Sequence, residues 1–314
     1  MVERVLVVGV TGFVGGRLSE SLTSQGYNVF GASRDLSRPI PIGLVDNTQY
    51  DLRDFDQVEK LLKVCDTVLF CAGSNAETCS ADPVQAIHDN SFAVFEFAKR
   101  ASAAGVRRFF YFSTAHVYNS RLIGRIREDT PTINNHPYAI SRRTAESLLA
   151  YLDSIADMEC TVLRLSNAYG KPHSINVNCW NLFVNDICKS AVQSEEILIK
   201  SPLGTCRDFI PMNLVCDIIR DVLNNKKTFP VLNVGSTRSE NLGSMSTQVK
   251  QLYQDIYPNR ELTISYKSHT EFETQEIDYG SNYLTRVGDE KFSKYVMDEL
   301  RNLLSFCGVF KNVL

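Results

Sequence analysis

The feature that most constrains the fold is a glycine-rich turn that separates an apolar run from a helical pattern near the amino terminus. Residues 4–8 read RVLVV, and Gly9, Gly12 and Gly15 follow at three-residue spacing. A β-branched run, such glycines and a helical pattern in direct succession are typical of the first strand–turn–helix unit of a parallel α/β sheet. In this setting Gly9 permits a tight turn, Gly12 lets a ligand approach the backbone, and Gly15 lets helix and strand pack closely.

The same turn predicts a site for the pyrophosphate of a dinucleotide, because the N–H groups that begin a helix attract phosphate. The residues assigned to this site are Gly9, Thr11, Gly12, Phe13, Val14 and Gly15. The alternative is a strand–helix turn that merely tolerates glycine. The agreement of strand, glycine spacing and helix favours the cofactor site.

Short β-branched segments alternate with helical patterns through the first half of the chain. In order they read RVLVVG, GGRLSESLTSQG, YNVFGAS, DFDQVEKLLKVC, TVLFCAG, VQAIHDNSFAVFEFAKRASAAG and RRFFYFS. A helical pattern at about 138–157 and the strand-like CTVLRLS at 160–166 continue the alternation. This rhythm predicts an α/β fold with a doubly wound parallel sheet.

The regular alternation ends after Ser166, and a second, smaller domain is predicted from there. The later patterns are helices around 180–193, 213–224, 244–256 and 289–306, with strands at 231–236 and in ELTISYK. We expect 1–166 with about 209–236 to form the nucleotide-binding domain. We expect about 167–208 with 237–314 to form a smaller α/β substrate-binding domain.

Composition excludes several classes of function. The 314 residues are 44% hydrophobic and carry a net charge of −3, which allows a substantial core and gives no basic field for nucleic acid or an anionic membrane. The apolar amino-terminal run is too short for a membrane span or a signal peptide, which predicts a cytoplasmic protein. Nine cysteines without a C-x-x-C pair and five scattered histidines predict reduced thiols and no metal site.

The end of the second predicted strand indicates which nicotinamide cofactor is bound. An acidic residue there accepts hydrogen bonds from the ribose 2′-OH of NAD, whereas an arginine accommodates the 2′-phosphate of NADP. The chain reads FGASRD, so Ser33 and Arg34 occupy this end, and Arg38 could assist. NADP(H) is favoured. The alternative is that Asp35 binds the ribose of NAD(H) and Arg34 is solvated.

Six further short segments, all downstream of the glycine turn, carry motifs of interest. They are Asp51 with Leu52, Cys71-Ala72-Gly73, Asn90, STAHVY at 113–118, LRLSNAYG at 163–170, and RDFI at 207–210. Together with the glycine turn they resemble the motifs of the extended short-chain dehydrogenase/reductase family, in its branch of NAD(P)-dependent nucleotide-sugar epimerases, dehydratases and reductases. The resemblance implies a Rossmann-type fold. It also implies that the first three segments lie at the cofactor.

The segment PYAISRRTAE at 137–146 resembles the active-site helix of that family. The resemblance implies that Tyr138 exchanges a proton with the substrate oxygen and that Thr114 occupies the catalytic Ser/Thr position. The family has a lysine four residues after the tyrosine, where this chain has Arg142. The lysine contacts the nicotinamide ribose and favours the phenolate, so Tyr138 and Arg142 are assigned to the cofactor site as well.

Arginine at this position preserves the positive charge but changes its geometry. A nearby cation lowers the pKa of a phenol, which is ordinarily about 10, and arginine stays charged throughout. Its planar fork is longer than an ammonium group, so the pocket must differ. Three interpretations follow: an enzyme adapted to arginine, a slow enzyme, or a cofactor-binding relative without catalysis. Because Tyr138 and Thr114 are both present, we favour activity.

Each of these residues also has a plainer interpretation. Tyr138 alone could be an amphipathic helix-start residue, and Thr114 could cap the turn that follows its strand. Asn167 and Arg207 could form loop hydrogen bonds and a surface ion pair with Asp208. The resemblance implies instead that Asn167 and Arg207 contact the sugar nucleotide.

The residues after Thr114 bear on the reaction. Family dehydratases carry an Asp-Glu pair there, whereas this chain has Ala115 and His116, which argues against dehydration unless His116 substitutes. His116 stays a candidate substrate-binding residue. In this family a net reductase uses exchangeable NADPH, whereas epimerases commonly hold NAD tightly. Because Arg34 favours NADPH, we expect a reductase of a nucleotide-linked keto-sugar, with a 4-keto-6-deoxy-hexose as the expected sugar. A nucleotide-sugar 4-epimerase and a non-catalytic NADP(H)-binding regulator are the alternatives.

The resemblance also implies a homodimer. Family members associate through two helices, which correspond here to about 86–104 and 138–157. The polar segment HTEFETQEIDYGSN at 269–282 is either a lid over the substrate or a solvated loop. No nucleic acid and no membrane is expected as a partner.

Overall fold

The structure is a computed structural model that describes residues 3–51, 56–202, 204–225, 227, 229–267 and 276–311. The chain forms two compact units. The first comprises Met1–Arg121, Glu128–Leu165 and Ile219–Asn233, and the second comprises Leu122–Arg127, Ser166–Ile218 and Val234–Leu314. Leu52, which is assigned to the cofactor by resemblance, lies outside the described residues.

The elements are numbered in chain order. The strands are β1 Arg4–Val8, β2 Asn28–Ser33, β3 Asp46–Gln49, β4 Thr67–Phe70, β5 Arg108–Thr114, β6 Gly124–Ile126, β7 Glu159–Leu165, β8 Asn167–Tyr169, β9 Glu196–Ile199, β10 Cys206–Arg207, β11 Phe209–Pro211, β12 Val231–Val234, β13 Glu240–Asn241, β14 Thr263–Tyr266 and β15 Ile277–Tyr279. The helices are α1 Phe13–Ser24, α2 Asp56–Leu62, α3 Ala76–Ala81, α4 Pro83–Ile87, α5 Ala93–Ala103, α6 Pro137–Ile155, α7 Phe183–Ser194, α8 Met212–Asn224, α9 Leu242–Ile256 and α10 Asp289–Val309.

A seven-stranded sheet in the order β12-β7-β5-β4-β1-β2-β3 organises the first unit. Its strands are parallel; Val7, for example, pairs with Gly31 of β2 on one side and with Leu69 of β4 on the other. The predicted doubly wound parallel sheet is therefore confirmed. The order of strands reverses between β1 and β4, and the carboxyl ends of strands at such a point are where ligands bind in open α/β sheets.

The core of the first unit explains why its strands read as continuous apolar runs. Strand residues such as Leu6, Val68 and Phe109 are completely buried among side chains from the helices, including Phe97 of α5 and Leu149 of α6. A parallel sheet covered by helices has no solvated face, so its strands lack polar alternation.

Two features of the first unit differ from the sequence prediction. β3 reads DNTQ and is largely exposed at the sheet edge, so it has no apolar pattern that could predict it. The helical pattern at 84–105 is not one α-helix, because a π-helical turn occupies His88–Phe92 between α4 and α5. Such turns are often found at functional sites.

The second unit is built on a helical core with small sheets. Side chains from α7, α9 and α10 form this core, among them Ile187, Leu252 and Leu300. Its strands pair two by two, as β8 with β11, β9 with β14, β10 with β13, and β6 with β15. Residues 209–211 pair with 167–169, which explains why the segment up to Ile218 packs within this unit and not with the seven-stranded sheet.

Candidate active site

The glycine turn between β1 and α1 is sterically fixed. Gly9 has φ +86°, and a Cβ there would lie 2.8 Å from the Ala72 backbone nitrogen. A Cβ at Gly15 would overlap the Gly9 carbonyl oxygen. Gly12 is exposed and caps α1 without any side-chain hydrogen bond, so the start of this helix presents backbone and no competing carboxylate. These features fit a pyrophosphate at the helix amino terminus.

Gly15→Ala is expected to lower the free energy of unfolding by about 1–3 kcal/mol, because the added methyl group must displace the Gly9 backbone. It should weaken NADPH binding through the same displacement. Urea unfolding and fluorescence titration with NADPH measure the two effects. Gly288→Ala is the matched control, since a Cβ there meets nothing within 4 Å. Equal stability of the two variants would contradict the steric argument.

The end of β2 places Ser33 and Arg34 in different surroundings. Ser33 is buried, and its Oγ lies 2.7 Å from Thr11 Oγ1 and also contacts the backbone of Asp35. The Arg34 side chain is 54% exposed, and its Nη1 lies 3.9 Å from Asp89 Oδ2. The Ser33 hydroxyl therefore braces the turn, and the Arg34 guanidinium is the more accessible of the two polar groups.

A cavity of about 720 Å³ adjoins the end of β2. Its lining includes Arg34, Tyr50, Asp51, His88, Asp89 and Phe92. The structure thus brings together Arg34 and Asp51, which the sequence assigned to the cofactor separately. Aromatic side chains and the Arg34 guanidinium line this cavity together with the carboxylates of Asp51, Asp89 and Glu96.

The turn after β4 is held by a buried asparagine. Ser74 N donates to Asn90 Oδ1 at 2.8 Å, and Asn90 Nδ2 donates to Ser141 Oγ at 3.0 Å. Asn90 lies in the π-helical turn and is completely buried. It therefore fixes the Cys71-Ala72-Gly73 segment relative to α6.

Helix α6 positions Tyr138 in its first turn. Pro137 occupies the first helical position, where its missing N–H costs nothing, and His136 caps the helix by accepting from Tyr138 N at 3.2 Å. The second ring nitrogen of His136 lies 3.0 Å from Ser80 Oγ. Tyr138 itself is half-buried.

Arg142 is buried and faces the protein. It is 7% exposed, its Nη1 donates to the Tyr111 hydroxyl and to the Phe112 carbonyl at 3.2 Å each, and its Nη2 reaches the Ser74 carbonyl at 3.5 Å. Its Cζ lies 5.2 Å from the centroid of the Tyr138 ring. Burial alone lowers the pKa of Arg142, but the phenols of Tyr111 and Tyr138 raise it, and the net shift is upward. The guanidinium is therefore a permanent cation beside the Tyr138 ring.

The guanidinium also occupies space that a side chain at position 73 would need. Gly73 has φ +154°, and a Cβ there would overlap Arg142 Nη2 and lie 2.7 Å from Asn90 Oδ1. Only glycine is compatible with this packing. The turn after β4 and the helix that carries Tyr138 are thus fitted to each other.

Thr114 and His116 follow at the carboxyl end of β5. Thr114 is 5% exposed, and its Oγ1 accepts from His116 N at 3.2 Å, so it caps the short turn Ala115–Val117. This contact matches the plainer interpretation of Thr114, and a hydroxyl retains capacity for a further bond. The His116 side chain is half-buried, and its carbonyl accepts from Asn134 Nδ2 at 2.7 Å.

A buried ionic network lies beside the site and was not predicted from the sequence. Glu146 of α6 accepts from Arg164 Nε at 3.2 Å on both carboxylate oxygens, from Arg164 Nη2 at 2.7 Å, and from Ser113 Oγ. Arg164 Nη1 donates to the Tyr118 hydroxyl at 2.8 Å. The only signal in the sequence is a charged residue within each of two apolar patterns, AESLL and LRL.

Asn167 and Arg207 both belong to the second unit. Asn167 Nδ2 donates to the Asp208 carbonyl at 2.9 Å across the β8–β11 pair. Asp208 is completely buried, burial raises its pKa, and its carboxylate accepts from Ser166, Ser236 and the Arg238 backbone. The suggested surface ion pair of Arg207 with Asp208 is therefore wrong. Arg207 is half-buried, burial lowers its pKa, and it has no hydrogen-bond or ion-pair partner among the described residues.

Three further observations concern the residues that the structure describes. No group of three or more His, Cys, Asp and Glu side chains is arranged to hold a metal ion. None of the described helices combines the length and the apolarity needed to cross a membrane. All nine cysteines are free thiols, and most are buried, with Cys71 and Cys206 partly accessible.

Comparison with known proteins gives one family. The profile described as "NAD dependent epimerase/dehydratase family" matches residues 5–235. The sterol-4-alpha-carboxylate 3-dehydrogenase (decarboxylating) of Dictyostelium discoideum is 29% identical over 187 residues, which are 55% of this chain and 56% of that protein. The UDP-glucose 4-epimerase of Azospirillum brasilense is 28% identical over 173 residues, which are 53% and 49% of the two chains. The chain thus spans about half the length of the curated relatives it matches.

Solved structures share the fold over nearly the whole chain. A UDP-N-acetylglucosamine 4-epimerase from Methanobrevibacter ruminantium superposes with a TM-score of 0.78 at 17% identity, covering 98% of both chains. RMD from Pseudomonas aeruginosa, complexed with NADPH, superposes with a TM-score of 0.71 at 20% identity, covering 98% of this chain and 99% of the other. At these identities the similarity establishes the fold alone.

Proposed function

Because the chain belongs to the NAD dependent epimerase/dehydratase family, we propose that it is an NADPH-dependent reductase of a nucleotide-linked keto-sugar, with a 4-keto-6-deoxy-hexose as the expected sugar. The observation that carries the proposal is the pairing of Tyr138 with a buried, permanently charged Arg142 whose Cζ lies 5.2 Å from its ring. A cation at that distance favours the phenolate left behind when a phenol donates a proton.

The residues of the first unit have distinct roles in this reaction. NADPH, which the glycine turn and the cavity with Arg34 would hold, would supply the hydride for the carbonyl carbon. Tyr138 donates its hydroxyl proton to the carbonyl oxygen, which Thr114 holds by hydrogen bonding. Arg142 stabilises the negative charge that remains on Tyr138, because it cannot lose its own proton.

The chain offers two anchors for NADP(H). The exposed Gly12 turn and the open start of α1 fit the pyrophosphate, and the cavity lined by Arg34 and Asp51 fits the adenosine. Arg34 supports the 2′-phosphate form, since guanidinium binds phosphate through two parallel hydrogen bonds. In the second unit, the half-buried guanidinium of Arg207 and the amide of Asn167 are proposed to contact the sugar nucleotide.

Arg34→Ala is expected to raise the dissociation constant for NADPH about ten- to a hundredfold, because a charge-assisted contact to the 2′-phosphate is lost. The dissociation constant for NADH should change little. Fluorescence titration with both nucleotides gives the ratio. Arg107→Ala is the matched control, because that side chain is 75% exposed and pairs with Asp66. An equal loss of affinity for NADPH and for NADH in Arg34→Ala would contradict the NADP preference.

The proposed activity is tested by following NADPH absorbance with a panel of nucleotide-linked 4-keto sugars. Net oxidation of NADPH with one of them would support a reductase. A nucleotide-sugar 4-epimerase, the activity printed for the A. brasilense relative, would instead interconvert sugars without net oxidation. Binding of NADPH without either reaction would indicate a regulator. Sugar interconversion without net oxidation, or NADPH binding without any reaction, would overturn the reductase proposal.

A homodimer through the outer faces of α5 and α6 is part of the proposal. Phe92, Tyr151 and Ile155 are 48%, 55% and 62% exposed, and the rings of Phe95 and Tyr151 lie 6.4 Å apart.

Tyr151→Glu is expected to convert a dimer to a monomer, because it buries a charge in the interface. Sedimentation velocity measures this. Tyr283→Glu changes an equally exposed tyrosine elsewhere and should leave the mass unchanged.

A further inference from the structure

The contacts of Arg142 are directed toward the protein interior. Its two terminal nitrogens reach the Tyr111 hydroxyl, the Phe112 carbonyl and the Ser74 carbonyl. Its Nε is buried and has no partner among the described residues. The contacts of Nη1 therefore direct the guanidinium inward, whereas Nη2, with one contact of 3.5 Å, keeps a second hydrogen.

Tyr111 is the side chain that completes this arrangement. It is completely buried on β5, its hydroxyl accepts from Arg142 Nη1 at 3.2 Å, and the same hydroxyl donates to the Asn90 carbonyl at 3.2 Å. Its ring also lies under the guanidinium, with the centroid 5.7 Å from Arg142 Cζ. The cation is thus held between two tyrosine rings, Tyr111 on its inner side and Tyr138 nearer the surface.

The other titratable groups nearby do not neutralise this cation. Burial raises the pKa of Tyr111 to about 12, and burial also raises the pKa of Cys79 on α3, so both are uncharged near neutral pH. Glu146, one turn further along α6, is paired with Arg164 at 2.7 Å. His136 uses Nδ1 to cap the helix. Arg142 forms no ion pair among the described residues, so its charge acts on Tyr138.

We propose that Tyr111 is a positioning residue of the active site, which holds the Arg142 guanidinium against the Tyr138 ring. Arg142 then keeps the positive charge of the lysine that usually stands at this position, and Tyr111 fixes where that charge lies. This role rests on the proposed function, since it matters for turnover only if Tyr138 is the proton donor. The arrangement itself exists without substrate or cofactor.

The test follows phenolate absorbance during an alkaline titration of the protein without ligand. The chain has 13 tyrosines, and the difference between wild type and Tyr138→Phe isolates the signal of Tyr138. The titration curve of Tyr111→Phe is then compared in the same way with that of the double variant Tyr111→Phe/Tyr138→Phe. We expect the Tyr138 midpoint in the Tyr111→Phe background to differ from the wild-type midpoint, because the guanidinium is then free to move away from the Tyr138 ring.

Tyr118→Phe is the matched control. The Tyr118 hydroxyl also accepts from a buried arginine, Arg164, at 2.8 Å, so this variant removes an equivalent buried hydroxyl without touching Arg142. Its Tyr138 midpoint should equal that of wild type. An unchanged midpoint in Tyr111→Phe, or an equal shift in both variants, would overturn the proposal.

Arg142→Lys provides a second test that does not depend on the folding of Tyr111→Phe. A shorter ammonium group cannot span Tyr111 and Ser74 together, so it should shift the Tyr138 midpoint as well. Tyr111→Phe should then add nothing further in the Arg142→Lys background, because both changes act through one contact. Independent, additive shifts would contradict the proposal. Lack of turnover with every sugar would sink the proposed reductase and leave this titration unaffected.

Discussion

Tyr138→Phe is expected to lower kcat/KM for keto-sugar reduction by about 100- to 10,000-fold, because the reaction loses its proton donor. The ring remains, so its stacking against Arg142 and the packing of the first turn of α6 are retained. The decrease should therefore fall on kcat, with the dissociation constant for NADPH little changed. Stopped-flow absorbance and fluorescence titration measure the two quantities.

Tyr151→Phe is the control for this variant, since it makes the same change on the exposed side of the same helix. It should reduce sugar at the wild-type rate. Activity of Tyr138→Phe within about threefold of wild type would show that the proton comes from another group, because general-acid catalysis contributes far more than that. Thr114 would then be the next residue to test.

Glu146→Ala is expected to lower the free energy of unfolding by about 3–5 kcal/mol, because it leaves Arg164 charged and buried without its partner. The side chains of Arg164 and Glu146 are only 9% and 7% exposed. The variant also removes the acceptor of the Ser113 hydroxyl at the end of β5. Urea unfolding monitored by circular dichroism gives the value.

Glu96→Ala is the comparison for that measurement. Glu96 pairs with Lys99 at 3.0 Å, and both side chains are 49% exposed. Its loss should cost less than about 1 kcal/mol, since exposed ion pairs contribute little. If Glu146→Ala and Glu96→Ala were equally stable, the network would not be essential to the packing of α6 against β7.

Local signals were sufficient for most of the first unit, with β3 and the π-helical turn as the exceptions. RVLVV and its glycines predict β1, the turn and α1 because backbone sterics at Gly9 and Gly15 admit no other residue. The motif around Tyr138 predicts a helix start, since proline at the first helical position and a polar cap before it are determined by nearest neighbours. Parallel strands buried on both faces carry their own apolar signature.

Contacts between distant residues could not be predicted in the same way. Tyr111 is one aromatic residue within RFFYFS, and no pattern there distinguishes the ring that bonds Arg142 from its neighbours. The direction of the Arg142 side chain depends on Ser74 and Gly73, which lie far away in sequence. In the second unit, strands of two to four residues are too short to show a period.

The overlap between Gly73 and Arg142 has a consequence for engineering and for the evolutionary history of this chain. Positions 73 and 142 share one volume, so neither can be exchanged freely while the other is kept. A lysine introduced at 142 would vacate that volume and leave a small void behind the turn, which costs stability. A library intended to install the lysine should therefore keep Gly73, because its φ of +154° and its contact with Asn90 Oδ1 exclude a side chain there whatever residue stands at 142.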